Sequence, residues 1–311
     1  MKRSLLTLIL TALLLPLAIT SCTQAGSGEK IHIGLNPKAG DSSKLHYSTK
    51  QTVSQKMMGM SIDIEQVTEL FIHQEVVEKD ADGLSKIRVT YERVIFSQDN
   101  AMVGKTAYDS KTVKPNEQIP PSAVGYATMI GNSFSMYINE KGEVQKVEGV
   151  RDLFANMLAQ MDSAEGTAVM ADQIKAAFGP EAMKRNMQQL VAIFPDAEIG
   201  IGDTWQDKID MAGEFGLKME NTYELESIKE DAFVLQLKSV ISTAKDAKLD
   251  MGGGMDIEYD LKGSQEGTME MNRASGMLIR SSVVQKIDGI VKAGGMDVPM
   301  SMESINTVEP Y

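Results

Sequence analysis

The sequence predicts an α+β protein that is mostly β: a long, curved antiparallel sheet with about three helices inserted mid-chain. Two-residue hydrophobic alternation dominates both halves of the chain. Strong turn signals separate the alternating runs, at Asp82-Gly83, Lys141-Gly142, Gly252-Gly253-Gly254, Ser275-Gly276 and Gly294-Gly295. Between the halves the period changes from two to the 3.6 of a helix.

The chain opens with Lys2 and Arg3, an apolar run from Leu5 to Ile19, then Ile19-Thr20-Ser21-Cys22. A charged start, an apolar stretch and small residues before a cleavage point form a secretory signal. The run is too short for a comfortable membrane-spanning helix. The Leu/Ile-x-small-Cys pattern resembles the bacterial lipoprotein box, which implies that residues 1–21 are removed and that Cys22 carries diacylglycerol and palmitate. An ordinary secretory signal that contains a cysteine is the competing reading. Residues 22–43, small and polar, are expected to form the lipidated tether.

A first β block covers 44–149. Ser61–Val77 alternates almost throughout, and at ~3.3 Å per residue spans roughly 55 Å. Strands of that length twist and curl, so the sheet is expected to be an open half-barrel. Ile87, Val89, Tyr91 and Ile95 continue the alternation. A helical insert follows over 150–195. Val150, Leu153, Phe154, Met157, Leu158 and Met161 form one stripe, Thr167–Phe178 a second helix that stops at Gly179-Pro180, and Glu181–Phe194 a third that ends before Pro195. The second β block, 196–311, contains the alternating runs Met255–Leu261 and Met296–Met302. The heptapeptide Val144–Val150 recurs with conservative changes as Val284–Ile290, so the sheet is read either as two pseudo-repeated meanders or as one meander with a chance repeat. The whole of 44–311 is expected to pack as one domain.

The formal charge is −12; loss of Lys2 and Arg3 would take it to about −14. So acidic a body excludes nucleic acid as a partner and excludes docking on anionic lipid by charge. Any membrane attachment must come from the lipid on Cys22. Cys22 is the single cysteine, so no intrachain disulfide forms.

Tyr108-Asp109-Ser110, Phe134–Val144, the helical insert and Pro195–Trp205 together resemble a group of uncharacterised bacterial envelope lipoproteins, classed as a domain of unknown function. The architecture this resemblance implies is similar to the carrier proteins of lipoprotein sorting: a curved antiparallel sheet whose concave face is closed by helices, with acyl chains held between. It implies no catalytic residues.

The residues themselves offer no enzyme chemistry. His32, His46 and His73 lack a second ligand at metal spacing, and no nucleophile elbow, phosphate loop or dinucleotide fingerprint is present. No catalytic, metal or cofactor site is assigned. Asp250–Asp256 lacks the ligand ladder of a calcium loop and reads as a hairpin tip. Asp203 is expected to fix a turn after Gly202, with Trp205 as a buried plug.

The 22 methionines are the compositional clue. Methionine is unbranched and polarizable, and surfaces lined with it adapt to flexible apolar ligands. Met157, Met161, Met183 and Met187 on helices, with Met219, Met271 and Met300 on strands, are the candidate ligand-lining residues; a plain methionine-rich core is the competing reading. The expected function is that of a non-enzymatic, lipid-anchored envelope protein binding an apolar ligand, such as a lipid or lipopeptide, between sheet and helices. The alternative is a structural module that presents its acidic sheet to another envelope protein. Thr23, rather than Asp, after Cys22 favours the outer membrane, with the body facing either the periplasm or the exterior.

Overall fold

A computed structural model describes residues 29–57, 59–102, 104–114, 119–150, 180–188, 190–211, 216–244, 248–250, 256–293 and 295–311. Its strands are β1 (Ser42–Met57), β2 (Met60–Lys79), β3 (Ser85–Asn100), β4 (Gly104–Asp109), β5 (Ser133–Ile138) and β6 (Val144–Glu148) in the first half. The second half holds β7 (Thr204–Met211), β8 (Leu217–Ile228), β9 (Ala232–Thr243), β10 (Lys248–Asp250), β11 (Asp256–Asn272), β12 (Leu278–Ala293) and β13 (Met296–Pro310). All named pairings are antiparallel and belong to one sheet, in the order β6-β5-β3-β2-β1-β13-β12-β11-β9-β8-β7; β4 pairs with β3 and β10 with β11.

This order is one continuous meander. Chain neighbours pair along both wings, and the last strand returns to the first through β13 and β1. The sheet is therefore one large, open up-and-down antiparallel sheet whose end strands are β6 and β7. The heptapeptide copies occupy unlike places: Val144–Glu148 is the outermost strand of one wing, whereas Val284–Ile290 lies inside β12 between β11 and β13.

The alternation seen in the sequence is the alternation of burial. On β9, Phe233, Leu235, Leu237, Ser239 and Ile241 are buried, while Lys238 and Val240 are exposed. Leu225, Leu235 and Val94 have no exposed surface, and burying each such side chain is worth about 1.5–3 kcal/mol. Gly263 and Gly267 on β11 lie so close to β12 that a Cβ would overlap the carbonyl oxygens of Lys286 and Ser282. Glycines at close backbone approaches let a long sheet coil tightly. The turn glycines Gly83, Gly142 and Gly276 have positive φ, as the turn signals require.

The expected α+β arrangement, with three helices against the concave face, does not hold. Among the described residues the α-helices are short: α1 (Val124–Ala127), which follows a 3₁₀ turn at Pro121–Ala123, and α2 (Pro180–Gln188). Neither roofs the sheet. Tyr126 of α1 stacks on Phe96 beside β4, and α2 packs on β6. Apart from Val150, the helices expected over 150–161 and 167–178 lie outside the described residues.

The helix expected over Glu181–Phe194 stops at Gln188 because tertiary hydrogen bonds outcompete its apolar stripe. The Gln188 side chain accepts from the Val144 N–H at 2.8 Å and donates to the Gly142 carbonyl at 3.1 Å. The Phe194 N–H then donates to the Lys141 carbonyl at 2.9 Å. Residues 190–196 consequently run as an irregular strap along the tip of the β5–β6 hairpin.

Part of the stretch expected as tether is also built into the fold. Ile31, Ile33 and Leu35 are buried, Ile31 and Ile199 exchange backbone hydrogen bonds at 2.9 Å, and the Leu35 N–H donates to the Glu140 carbonyl. The strap and residues 31–36 thus join the two wings where strand pairing stops. Around them lies the main core, which unites Ile72, Val76 and Phe134 of one wing with Tyr223, Phe233 and Leu235 of the other. A second apolar cluster, with Met219, Ile241, Leu261 and Ile287, covers the inner face towards the opposite end of the strands.

Candidate functional site

Strand register places one row of polar side chains across the inner face. Gln98 pairs with Gln66, Gln66 with Gln51, Gln51 with Ser304 and Ser304 with Gln285. The row continues through Gln265, Ser239 and Asn221 to Asp207 on β7. Nine strands contribute to it. Two residues along each strand, about 6.6–6.8 Å away, lies the apolar row Ile64, Val53, Met302, Ile287, Ile241, Met219 and Ile209, with Gly263 at the β11 position. On the other side come Val283, Leu237, Tyr223 and Trp205, with Thr49 and Asn306 towards the first wing.

Several members of the row bond one another. The Ser239 hydroxyl donates to Asn221 Oδ1 at 2.7 Å, and Gln285 Nε2 donates to Gln265 Oε1 at 3.3 Å. Ser239, Asn221 and Ser304 are buried. At the β7 end Asp207 is held above the usual carboxylate range by desolvation, against hydrogen bonds from the Lys208 backbone and the Asn221 side chain. Its Oδ2 is buried and accepts no hydrogen bond.

The middle of the row opens into a cavity of about 250 Å³. Its apolar lining comes from Leu190 and Val191 of the strap and from Met219, Leu237, Met269, Leu278, Val283 and Val308. Its polar lining comes from Asn221, Gln265, Gln285 and Asn306, with Ser48, Thr49, Ser281 and Thr307, and Tyr47 and Tyr223 complete it. Burial pushes both tyrosine hydroxyls far above the ordinary phenol value, so they stay neutral. Among the described residues, none that lines it is charged. The volume falls just under the usual range for small-molecule sites, about 300–1,000 Å³.

The strap forms one wall because the other wing holds it. Trp205 Nε1 donates to the Ile193 carbonyl at 2.6 Å, and its ring stacks on Tyr223 with centroids 5.4 Å apart. Phe194 meets Phe233 edge to face at 6.3 Å. Asp203 closes the turn that begins at Gly200 rather than one after Gly202, its Oδ2 accepting from the Gly200 N–H at 2.9 Å.

Of the methionines singled out from sequence, only Met219 lines this cavity among the described residues. Met183 and Met271 are buried in the main core, and Met187 packs against it. Met300 lies against the second apolar cluster. Met157, Met161 and Cys22 lie outside the described residues. Sequence reasoning placed Met269 on an inner face, where it lines the cavity, but missed Leu237, Val283 and the four amides. Their signal was positional, inner-face parity at one register level, and it needed the strand pairing to be read. Among the described residues, no three of His, Cys, Asp and Glu converge as a metal site, and no helix is long and apolar enough to cross a membrane.

A family model described as "Family of unknown function (DUF6263)" matches residues 82–278, more than half of the chain. The chain belongs to that family. The DUF6263 match begins at the β2–β3 turn and ends at Leu278, so it takes in Met219, Asn221, Leu237, Gln265 and Met269 but not the walls from β1, β13 and most of β12. No curated protein matches the sequence. Among solved structures, the chain is similar to part of lipovitellin at TM-score 0.47 and 8% identity, covering 88% of this chain but only 25% of that one. It also aligns with the β domain of the Bordetella autotransporter BrkA, at TM-score 0.25, 7% identity and 86% and 100% of the two chains. An outer membrane channel from Pseudomonas putida F1 aligns at TM-score 0.25, 8% identity and 89% and 97% coverage. These likenesses are too low to carry an argument about fold or function.

Proposed function

We propose that this protein is a non-enzymatic, lipid-anchored envelope protein that binds an apolar ligand on the inner face of its open sheet. The observation that carries the binding is the cavity beneath the strap, uncharged among its described lining residues and walled by Leu190, Val191, Met219, Leu237, Met269 and Val283. In a chain with 24% charged residues, a concave surface with apolar walls and a few convergent polar groups is the default form of a small-molecule site. The outer face supports a body that works in water. Lys262, Glu266, Lys286, Asp288, Asp297 and Glu303 all lie exposed on neighbouring strands, where a membrane-spanning barrel would carry an apolar belt. The anchor rests on the lipobox-like Ile19-Thr20-Ser21-Cys22, and the outer membrane is the envelope layer that Thr23 favours.

The binding reading is tested by titrating the purified mature chain with a neutral, environment-sensitive acyl probe such as a dansylated decyl amide. Wild type is expected to saturate at one probe per chain. Val283→Trp and Thr49→Trp, which push an indole into the cavity from two walls, are expected to abolish saturable binding while leaving the cooperative melt intact. Equal binding by wild type and both folded variants, or no saturable binding by wild type, would reject the site.

A further inference from the structure

We infer that the ligand carries an uncharged hydrogen-bonding group next to its acyl chain, an ester or an amide, and that the amides of Gln265, Gln285, Asn221 and Asn306 recognise that group. The inference rests on the apolar-ligand reading above and narrows its chemistry. A site for a bare hydrocarbon has no use for a polar row between two apolar ones, because hydrocarbon laid over the half-buried amides of Gln265, Gln285 and Asn306 would cost about 1–3 kcal/mol for each one left unpaired. A site for a free fatty acid would place a cation against the carboxylate, and among the described residues no lysine, arginine or histidine lines this cavity.

The charge at the end of the row has the wrong sign for an anion. Asp207 stands beside Asn221 with Oδ2 buried and without a hydrogen bond. A carboxylamide side chain both donates and accepts, so it suits an ester or amide, which offers a carbonyl and sometimes an N–H. The two glutamines leave capacity free, bonding each other through one donor and one acceptor at 3.3 Å. Asn221 is engaged by Ser239 at Oδ1 and by Asp207, and Asn306 Oδ1 accepts from the Thr49 hydroxyl at 2.9 Å, so the glutamines carry most of the open capacity. The apolar levels on either side, with Met219 and Ile287 below and Val283 and Leu237 above, would take the chain.

The outer-face hollow makes the contrast. It is bordered by Glu226, Lys229, Glu270, Arg280 and Glu309, with Lys229 and Arg280 both paired to Glu270. The same strands therefore carry charge on one face and only neutral polar groups on the other.

The experiment is a calorimetric titration of the mature chain with four ligands of one chain length: 1-decanoylglycerol, N-decanoylglycinamide, decanoate and decane. The ester or the amide is expected to bind at least about tenfold more tightly than decanoate or decane, a factor that corresponds to 1.4 kcal/mol. Preference for the glycerol ester would identify a glyceride lipid as the source, and preference for the amide an N-acylated amine or peptide. The double substitution Gln265→Leu/Gln285→Leu is expected to cost the neutral polar ligands about tenfold and to leave decane unchanged or tighter. Asp207→Asn is expected to raise decanoate affinity alone. Asn306→Leu provides an independent readout in the same direction should the double variant fail to melt cooperatively. Decanoate or decane binding as tightly as the ester and amide, or amide affinity indifferent to the glutamine and Asn306 substitutions, would overturn the inference while leaving the cavity reading standing. Absence of binding by all four would reject the apolar-ligand reading itself.

Discussion

Gly142→Ala should detach the strap that walls the cavity, and Gly83→Ala supplies its control. Both glycines sit at hairpin tips with nearly equal positive φ, 84° and 81°, so alanine pays the same left-handed penalty at each, roughly 1–2 kcal/mol. Their surroundings differ. Nothing lies within 4 Å of a Cβ at Gly83, whereas at Gly142 it would overlap the Ala192 carbonyl. Residues 191–194 would have to move, breaking the hydrogen bond from Phe194 to Lys141 and loosening the grip of Gln188 on the hairpin. One lost hydrogen bond costs about 1 kcal/mol. Partial exposure of Phe194, now buried at 3%, adds about 1–2 kcal/mol. Gly142→Ala is therefore expected to cost about 3–5 kcal/mol and Gly83→Ala about 1–2. Urea unfolding of both variants measures the difference. The single tryptophan reports on the same event, because Trp205 is bonded to Ile193 within the strap; its emission should shift to the red in Gly142→Ala only. Equal destabilisation of the two variants with unchanged emission would refute the strap argument.

Three further outcomes are expected. Asp207 has a raised folded-state pKa caused by desolvation, so its ionisation opposes folding; Asp207→Asn should stabilise the protein at pH 7, and the gain should vanish as pH falls and protonates the wild-type carboxyl, as paired thermal melts across pH would record. Asp109 has the opposite sign: its hydrogen bond with Arg93, at 2.6 Å to Oδ2, holds its pKa below the usual range. Asp109→Asn should thus cost about 0.5–1 kcal/mol above about pH 4, with the gap closing as acid titrates the folded wild type, in the same set of melts. Cys22→Ala should abolish labelling by radioactive palmitate and release the chain from membranes in carbonate washes; a variant as firmly bound as wild type would end the anchor proposal.

The strands were legible because burial follows the alternation. Ser61–Val77 lies within the twenty-residue β2, and the runs around Ile87, Ile257 and Val298 became β3, β11 and β13. The strap was not legible. Leu190, Val191 and Phe194 fit a helical stripe, and only the Gly142 and Lys141 carbonyls, nearly fifty residues earlier in the chain, decide that they run irregularly. The site was hidden for a related reason. Gln51, Gln66, Gln265 and Gln285 are ordinary surface residues when each strand is read alone. They become a row only when eight separate registers bring them level. Choosing by residue type pointed to methionine, yet Met183 and Met271 fill the core beside Phe233 and Leu235. Position on the sheet, rather than side-chain chemistry, separates them from Met219.

We propose that the hollow between Leu190, Val191 and the inner sheet holds an acylated molecule. Organic extraction of the protein purified without detergent, followed by mass spectrometry, tests it most directly. Wild type is expected to yield a neutral acyl species near one per chain, and folded Val283→Trp is expected to lose it. Extracts free of lipid, or the same lipid in equal amount from Val283→Trp, would contradict it.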